Sequence, residues 1–246
     1  LEVVVVAIDD VARGLADRGD ALVGPLAHRR IFLDTYRRTT LAVGDAVDDA
    51  CFEDPAWVAA WDVAFAQLYL DAFDADLAGR RVPRPWRLAF DAPPELPALR
   101  HVLLGINAHV NYDLPQALLA VISDAEFEDA VLIERRRRDH ERIDAVLSGR
   151  VAAEDDELGT GKSLVDRVLT PLNRLSSKRF LRESRQKVWH NTMELQRARL
   201  HSADAYHVRL AELELLAAAR IADLLAPGQV LLRLAVAGFG VVLPPP

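Results

Sequence analysis

One cysteine, Cys51, and one methionine, Met193, are all the sulfur in this chain of 246 residues. A lone cysteine excludes an intramolecular disulfide and fits a reducing, cytoplasmic setting. A basic excess is missing too. Thirty Lys and Arg face 37 Asp and Glu, for a net charge of −7, which argues against nucleic acid as a partner. No apolar run reaches the roughly 20 residues of a membrane-crossing helix, so no membrane span is expected. The opening LEVVVVAI has neither a basic leader nor a small-residue cleavage site, and does not read as a signal peptide. Glycine and proline are absent from Ser177 to Leu225, which leaves a long stretch with nothing to interrupt a helix.

What is present is apolar and helical in period. Hydrophobic residues make up 51% of the chain, enough for one sizeable core. The β-branched start reads as a frayed lead-in to a helix near Asp9–Arg18. A second helix is expected from Leu26 to about Gly44, with Tyr36 on its buried face. A third runs from Pro55 to about Leu77, capped by Asp54, with Trp57, Trp61, Phe65, Leu68 and Ala72 as an aromatic core face. Residues 79–97, rich in Pro and Arg, are expected to form an irregular loop.

Ser123 or Asp124 should cap a helix to about Leu147, with Phe127, Val131 and Ile143 turned inward. Its run Arg135 to Arg138 reads as an exposed cluster balanced by Asp139 and Glu141. Residues 148–162 form an acidic connector. Within it, Gly161-Lys162-Ser163 suggests a phosphate loop, but the required earlier glycine is Asp156 and the pattern fails. From Ser177 onward, Trp189, Met193, Leu200, Ala203, Leu210, Ala217, Ile221 and Leu224 mark a seam in one bent helix or two stacked ones, with His207 on the same seam. A last apolar helix is expected over Val230–Val241. The fold class that follows is all-α, a single-domain multi-helix bundle around a central apolar helix.

That central helix is LRHVLLGINAHVNYDLPQALLAV, Leu99 to Val121. His101, Gly105, His109 and Asp113 follow one ridge at steps of four, and Asn107 and Asn111 follow another almost opposite. Between them lie Val102, Leu103, Leu104, Ile106 and Val110, so neighbours must enclose the helix on most sides. Polar groups there must be networked, ligated or turned to a wet pocket. Pro115 should end or kink the helix, and Asp113 is placed to cap a second one.

Three uses of these residues stay open. They can tie the helix to its neighbours by hydrogen bonds. His109 and Asp113 can form an acid–base pair, with Asn107, Asn111, Tyr112 and His101 contacting a small hydrophobic substrate. Open space beside Gly105 would suit that use, and Asp139, His140 and Tyr36 are candidates for supporting it. A metal is the third use, but His-x3-Asp supplies two ligands where a catalytic zinc needs at least three, so no metal and no cofactor are expected.

The run Gly105 to Pro115, GINAHVNYDLP, resembles an uncharacterised bacterial family catalogued as domain of unknown function 5995. The similarity extends to Tyr36, Thr39, the stretch Trp61 to Ala66 with Tyr69, Asp139-His140 and Trp189. It implies a single all-helical domain and no particular activity. A more limited similarity, to helical zinc-dependent phospholipases, rests on His-x3-Asp before a proline. Their further histidines and N-terminal Trp ligand are missing here. Sequence thus favours acid–base chemistry on a small hydrophobic metabolite, with a non-catalytic binding or interaction protein and a metal-dependent hydrolase as alternatives.

Overall fold

The computed structural model describes residues 2–157, 178–228, 230, 234 and 238–245. Among them every regular element is a helix and none is a strand, as the helical periods require. The chain clusters into two compact units. One comprises Leu1–Val63, Pro94–Val102 and Asp124–Arg182, and the other Ala64–Pro93, Leu103–Ser123 and Glu183–Pro246.

In the first unit, α1 (Glu2–Ala21) takes in most of the valine-rich start instead of leaving it frayed. Ile8, Val11, Ala12 and Leu15 recur at helical spacing and are all buried, and that burial outweighs the poor helix propensity of the valines. A 3-10 turn (Gly24–Arg29) occupies the expected start of the next helix, so α2 runs later, Arg30–Asp48. Gly44 does not end α2. It sits inside the helix, where an added Cβ would stand 3.2 Å from Ile8 Cγ2, and lets α1 pack closely.

Helix α3 (Pro55–Leu77) begins as expected, with Asp54 Oδ1 accepting the Trp57 N–H at 3.1 Å. The segment after the central helix is broken into α7 (Asp124–Glu128) and α8 (Ala130–Glu157), because Asp129 caps α8 by accepting from the N–H groups of Val131 and Leu132. Val131 is 76% exposed and not core, since it falls on the first turn beside that cap. Helix α8 passes the expected end near Leu147, so residues 148–157 of the expected connector are helical. Residues 158–162, Lys162-Ser163 and the helix expected from Ser163 lie outside the described residues.

In the second unit, the expected 79–97 loop contains α4 (Arg84–Phe90). Pro85 is tolerated in a first turn, Glu214 accepts the Arg84 N–H at 2.8 Å, and Trp86 and Phe90 stack at 5.3 Å on the buried side. Helix α5 (Ala98–Ala108) starts in the first unit and passes into the second at Leu103. It continues through a π-turn (His109–Asp113) into α6 (Leu114–Val121).

The long run is two helices, α9 (Lys178–His201) and α10 (Ala203–Leu225), parted at Ser202, whose hydroxyl accepts the Ala205 N–H. That break shifts the helical phase. His207, beyond the break, is therefore exposed, and Leu200, in the last turn before it, is 59% exposed, so neither is core as the single seam required. Helix α10 buries Leu213, Ala217, Ile221 and Leu224, and packs against α4 and the π-turn. Residues 230 and 234 are helical, Gly238, at φ +72°, donates to the Leu234 carbonyl, and residues 238–241 are not helical, so the described residues do not extend a helix to Val241.

Candidate functional site

The centre of the second unit is the π-turn. Pro115 has no N–H to give the Asn111 carbonyl, and its ring would crowd that carbonyl in an α-helix. The chain answers by widening one turn, so the helix runs on into α6 with Pro115 in its first turn. Asp113 keeps helical angles, φ −81° and ψ −38°, and makes no cap bond. Its carboxylate is used elsewhere.

Asp113 Oδ2 lies 2.9 Å from His109 Nδ1 and accepts the Trp86 indole N–H at 2.8 Å. Both members of the pair are buried, His109 at 3% and Asp113 at 2% exposure. Phe65 lies flat on the imidazole, with ring centroids 3.5 Å apart and planes 5° from parallel. Tyr69 and Trp86 flank the same ring at 5.9 and 5.8 Å. Gly105 is itself buried, so the space expected to open beside His109 is enclosed by protein. Burial pushes the imidazole well below its ordinary value and the carboxyl well above its own, with the Trp86 bond pulling the carboxyl partly back. Both shifts favour a neutral pair sharing one proton.

The opposite edge carries the amides. Asn107 donates to the Leu103 carbonyl at 2.8 Å, one turn back, and its own carbonyl accepts from Asn111 at 3.1 Å. Asn111 also donates to the Phe239 carbonyl and accepts the Val241 N–H, both at 3.2 Å. Asn191 on α9 repeats the device, donating to the Val241 carbonyl and accepting the Leu243 N–H at 2.9 Å. Two asparagines thus hold the backbone of 239–243 in place of a partner strand. Asn191 escaped sequence reasoning because one Asn inside a polar helix carries no pattern. Tyr112 is buried near Asp113, and burial with the charge of Glu214 pushes its hydroxyl up.

Four further candidates belong to the first unit. Tyr36 is buried with its ring 6.0 Å from Phe32. Asp139 is fully buried, and its two oxygens accept the N–H groups of Glu53 and Asp54, each at 2.8 Å, which fixes the entry to α3. His140 is fully buried with its ring 5.4 Å from that of Trp61. His101 lies 4.9 Å, ring to ring, from His28. Around Asp139 the arginine run finds partners that sequence spacing could not supply. Arg136 bonds Asp54 and Glu126 and lies over Trp57, Arg138 and Arg142 bond Glu53, and only Arg137 keeps to its own helix with Glu134 and Glu141. Arg142, not the run itself, pairs with Asp139.

The profile of a family of unknown function (DUF5995) matches residues 8–227. The chain belongs to that family. The matched span contains the whole π-turn and every candidate residue named above. No curated protein and no solved structure matches the chain. Among the described residues no three His, Cys, Asp or Glu are grouped to hold a metal, and no helix is long and apolar enough to cross a membrane.

Proposed function

We propose that the central polar network is a scaffold, and that this member of the family is a non-catalytic ligand-binding or interaction protein. One observation carries this conclusion. The His109 ring is 3% exposed, with Phe65 flat against one face at 3.5 Å. A general base has to come within about 3 Å of the proton it takes, which an imidazole sealed by aromatic rings does not offer. The amides support the same conclusion, since Asn107 and Asn111 are spent on the backbone of Leu103, Phe239 and Val241. The exposed, unpaired Cys51 supports a reducing, cytoplasmic compartment, and the acidic charge speaks against nucleic acid.

A second use is favoured by the Asp113–His109 bond itself. A carboxyl group hydrogen-bonded to an imidazole inside a π-turn is an arrangement found at proton-transfer sites. On that basis His109 would move a proton on a small hydrophobic metabolite and Asp113 would orient it. Urea unfolding of His109→Ala separates the two. A scaffold histidine leaves a cavity and an unpaired carboxyl, and its removal should cost about 2–4 kcal/mol. A loss below about 0.5 kcal/mol would show an imidazole held open for chemistry, and would overturn the scaffold.

A further inference from the structure

His28 and His101 meet in the first unit with ring centroids 4.9 Å apart and planes tilted by 43°. His28, on the 3-10 turn, has Nδ1 2.9 Å from the Pro25 carbonyl oxygen. A carbonyl only accepts, so Nδ1 carries a proton, and in the neutral tautomer that makes this bond Nε2 presents a lone pair. His101, 6% exposed on α5, hydrogen-bonds the Pro94 carbonyl. Its Nε2 has no partner, so that bond is made from Nδ1. Both Nε2 atoms are buried acceptors with nothing donating to them. A buried polar atom left so costs about 1–3 kcal/mol, and two of them on neighbouring rings are open to one shared occupant.

A proton donor or a cation would satisfy both lone pairs, and the second shell selects between them. Imidazoles that donate one N–H to a backbone carbonyl and present the other nitrogen bare are in the state that metal-bound histidines adopt. Spacing agrees. With a metal about 2.0 Å from each Nε2, two imidazoles at a tetrahedral angle have centroids about 5 Å apart, against the 4.9 Å observed. No third protein ligand is grouped with them among the described residues, so water or an external group would complete the coordination. We infer that His28 and His101 form a two-histidine site for one borderline divalent ion of the Zn²⁺ class, with open positions for an exogenous ligand. Nitrogen ligands favour such ions over Mg²⁺, which takes oxygen. The site is independent of the role assigned to His109. Arg29, Arg30 and Arg100 flank the pair in sequence and, with only two ligands, keep its affinity modest.

Calorimetric titration of the untagged full-length protein with Zn²⁺ tests this. One equivalent should bind saturably, His28→Ala and His101→Gln should each weaken it at least tenfold, and the double variant His201→Ala/His207→Ala should leave it unchanged. Circular dichroism checks that each variant is folded. Should His101→Gln fail to fold, His28→Ala, on the surface turn, decides alone. Nitrogen-15 spectra of the wild type give a second readout, with the Nε2 resonances of His28 and His101 expected to shift on adding Zn²⁺. Absence of saturable binding, equal binding of Mg²⁺, or Zn²⁺ binding that survives His28→Ala overturns the site.

Discussion

Asp62 offers the clearest energetic test of the first unit. It sits on α3 beside Trp61, is 8% exposed, and its Oδ2 has no hydrogen-bond partner. Desolvation pushes its carboxyl from 3.8 up to about 7. In the folded protein the group therefore holds a proton that the unfolded chain releases once the pH exceeds about 4. Its sign follows from this. Stability is greatest below the unfolded value, falls as pH climbs toward 7, and is flat above it. A shift of about 3 units at 1.36 kcal/mol each amounts to about 4 kcal/mol lost by pH 8, of which about 1.5 kcal/mol is already gone at pH 5. Asp62→Asn keeps the volume and cannot ionise. Subtracting wild-type from variant stability cancels every other titration, so the difference isolates this carboxyl. Urea unfolding followed by circular dichroism at pH 5, 6.5 and 8 should show the variant gaining about 2–3 kcal/mol on the wild type across that range. A difference that stays constant to about 0.5 kcal/mol would refute the buried, unpaired carboxyl.

Two other outcomes are expected. Asn111→Ala removes its bonds to Phe239 and Val241 and leaves a buried carbonyl and N–H unmatched, so it should cost about 2–3 kcal/mol and speed amide exchange at Val241 ahead of the helices. Arg136→Met should cost about 2 kcal/mol or more, because Arg136 is 11% exposed and joins Asp54, Glu126 and the Trp57 face, whereas Arg137→Met, at 37% exposure among residues of its own helix, should change stability by under about 0.5 kcal/mol.

The helices were legible because apolar period is a local signal. Trp57 and Trp61 recur four apart, and Asp54-Pro55 marks the start of their helix within two residues of sequence. What escaped was non-local or depended on phase. Helix α4 lies where proline content suggested a loop, and only the burial of Trp86 and Phe90 makes a helix there worthwhile. Extending one helical phase across Ser202 puts His207 in the core, and the cap at Ser202 interrupts that phase. Sequence spacing offers the arginine run only neighbours on its own helix, but its partners Glu53 and Asp54 lie 82 to 85 residues away. Within the candidate site, the His109–Asp113 bond is legible in the sequence, because residues four apart on a helix meet. Sequence could not give Trp86 as the second donor or Phe65 as the cover.

Positions 107, 109, 111 and 113 are polar at every second residue, a period that suits a strand. On a helix the same spacing divides them. Asn107 and Asn111 fall on one edge, and His109 and Asp113 on the other. Each edge reaches a distant piece of the second unit: the amide edge holds Phe239, 128 residues on from Asn111, and the carboxylate edge holds Trp86, 27 residues before Asp113. The π-turn lets both edges work around a proline that would otherwise break them apart, because it passes over Pro115 without losing helical direction. On the scaffold proposal, this clamping on both sides is what the His109–Asp113 pair serves. The same clamping explains how a helix that is apolar nearly all round tolerates four polar residues in seven positions: each is buried and makes at least one hydrogen bond inside the unit.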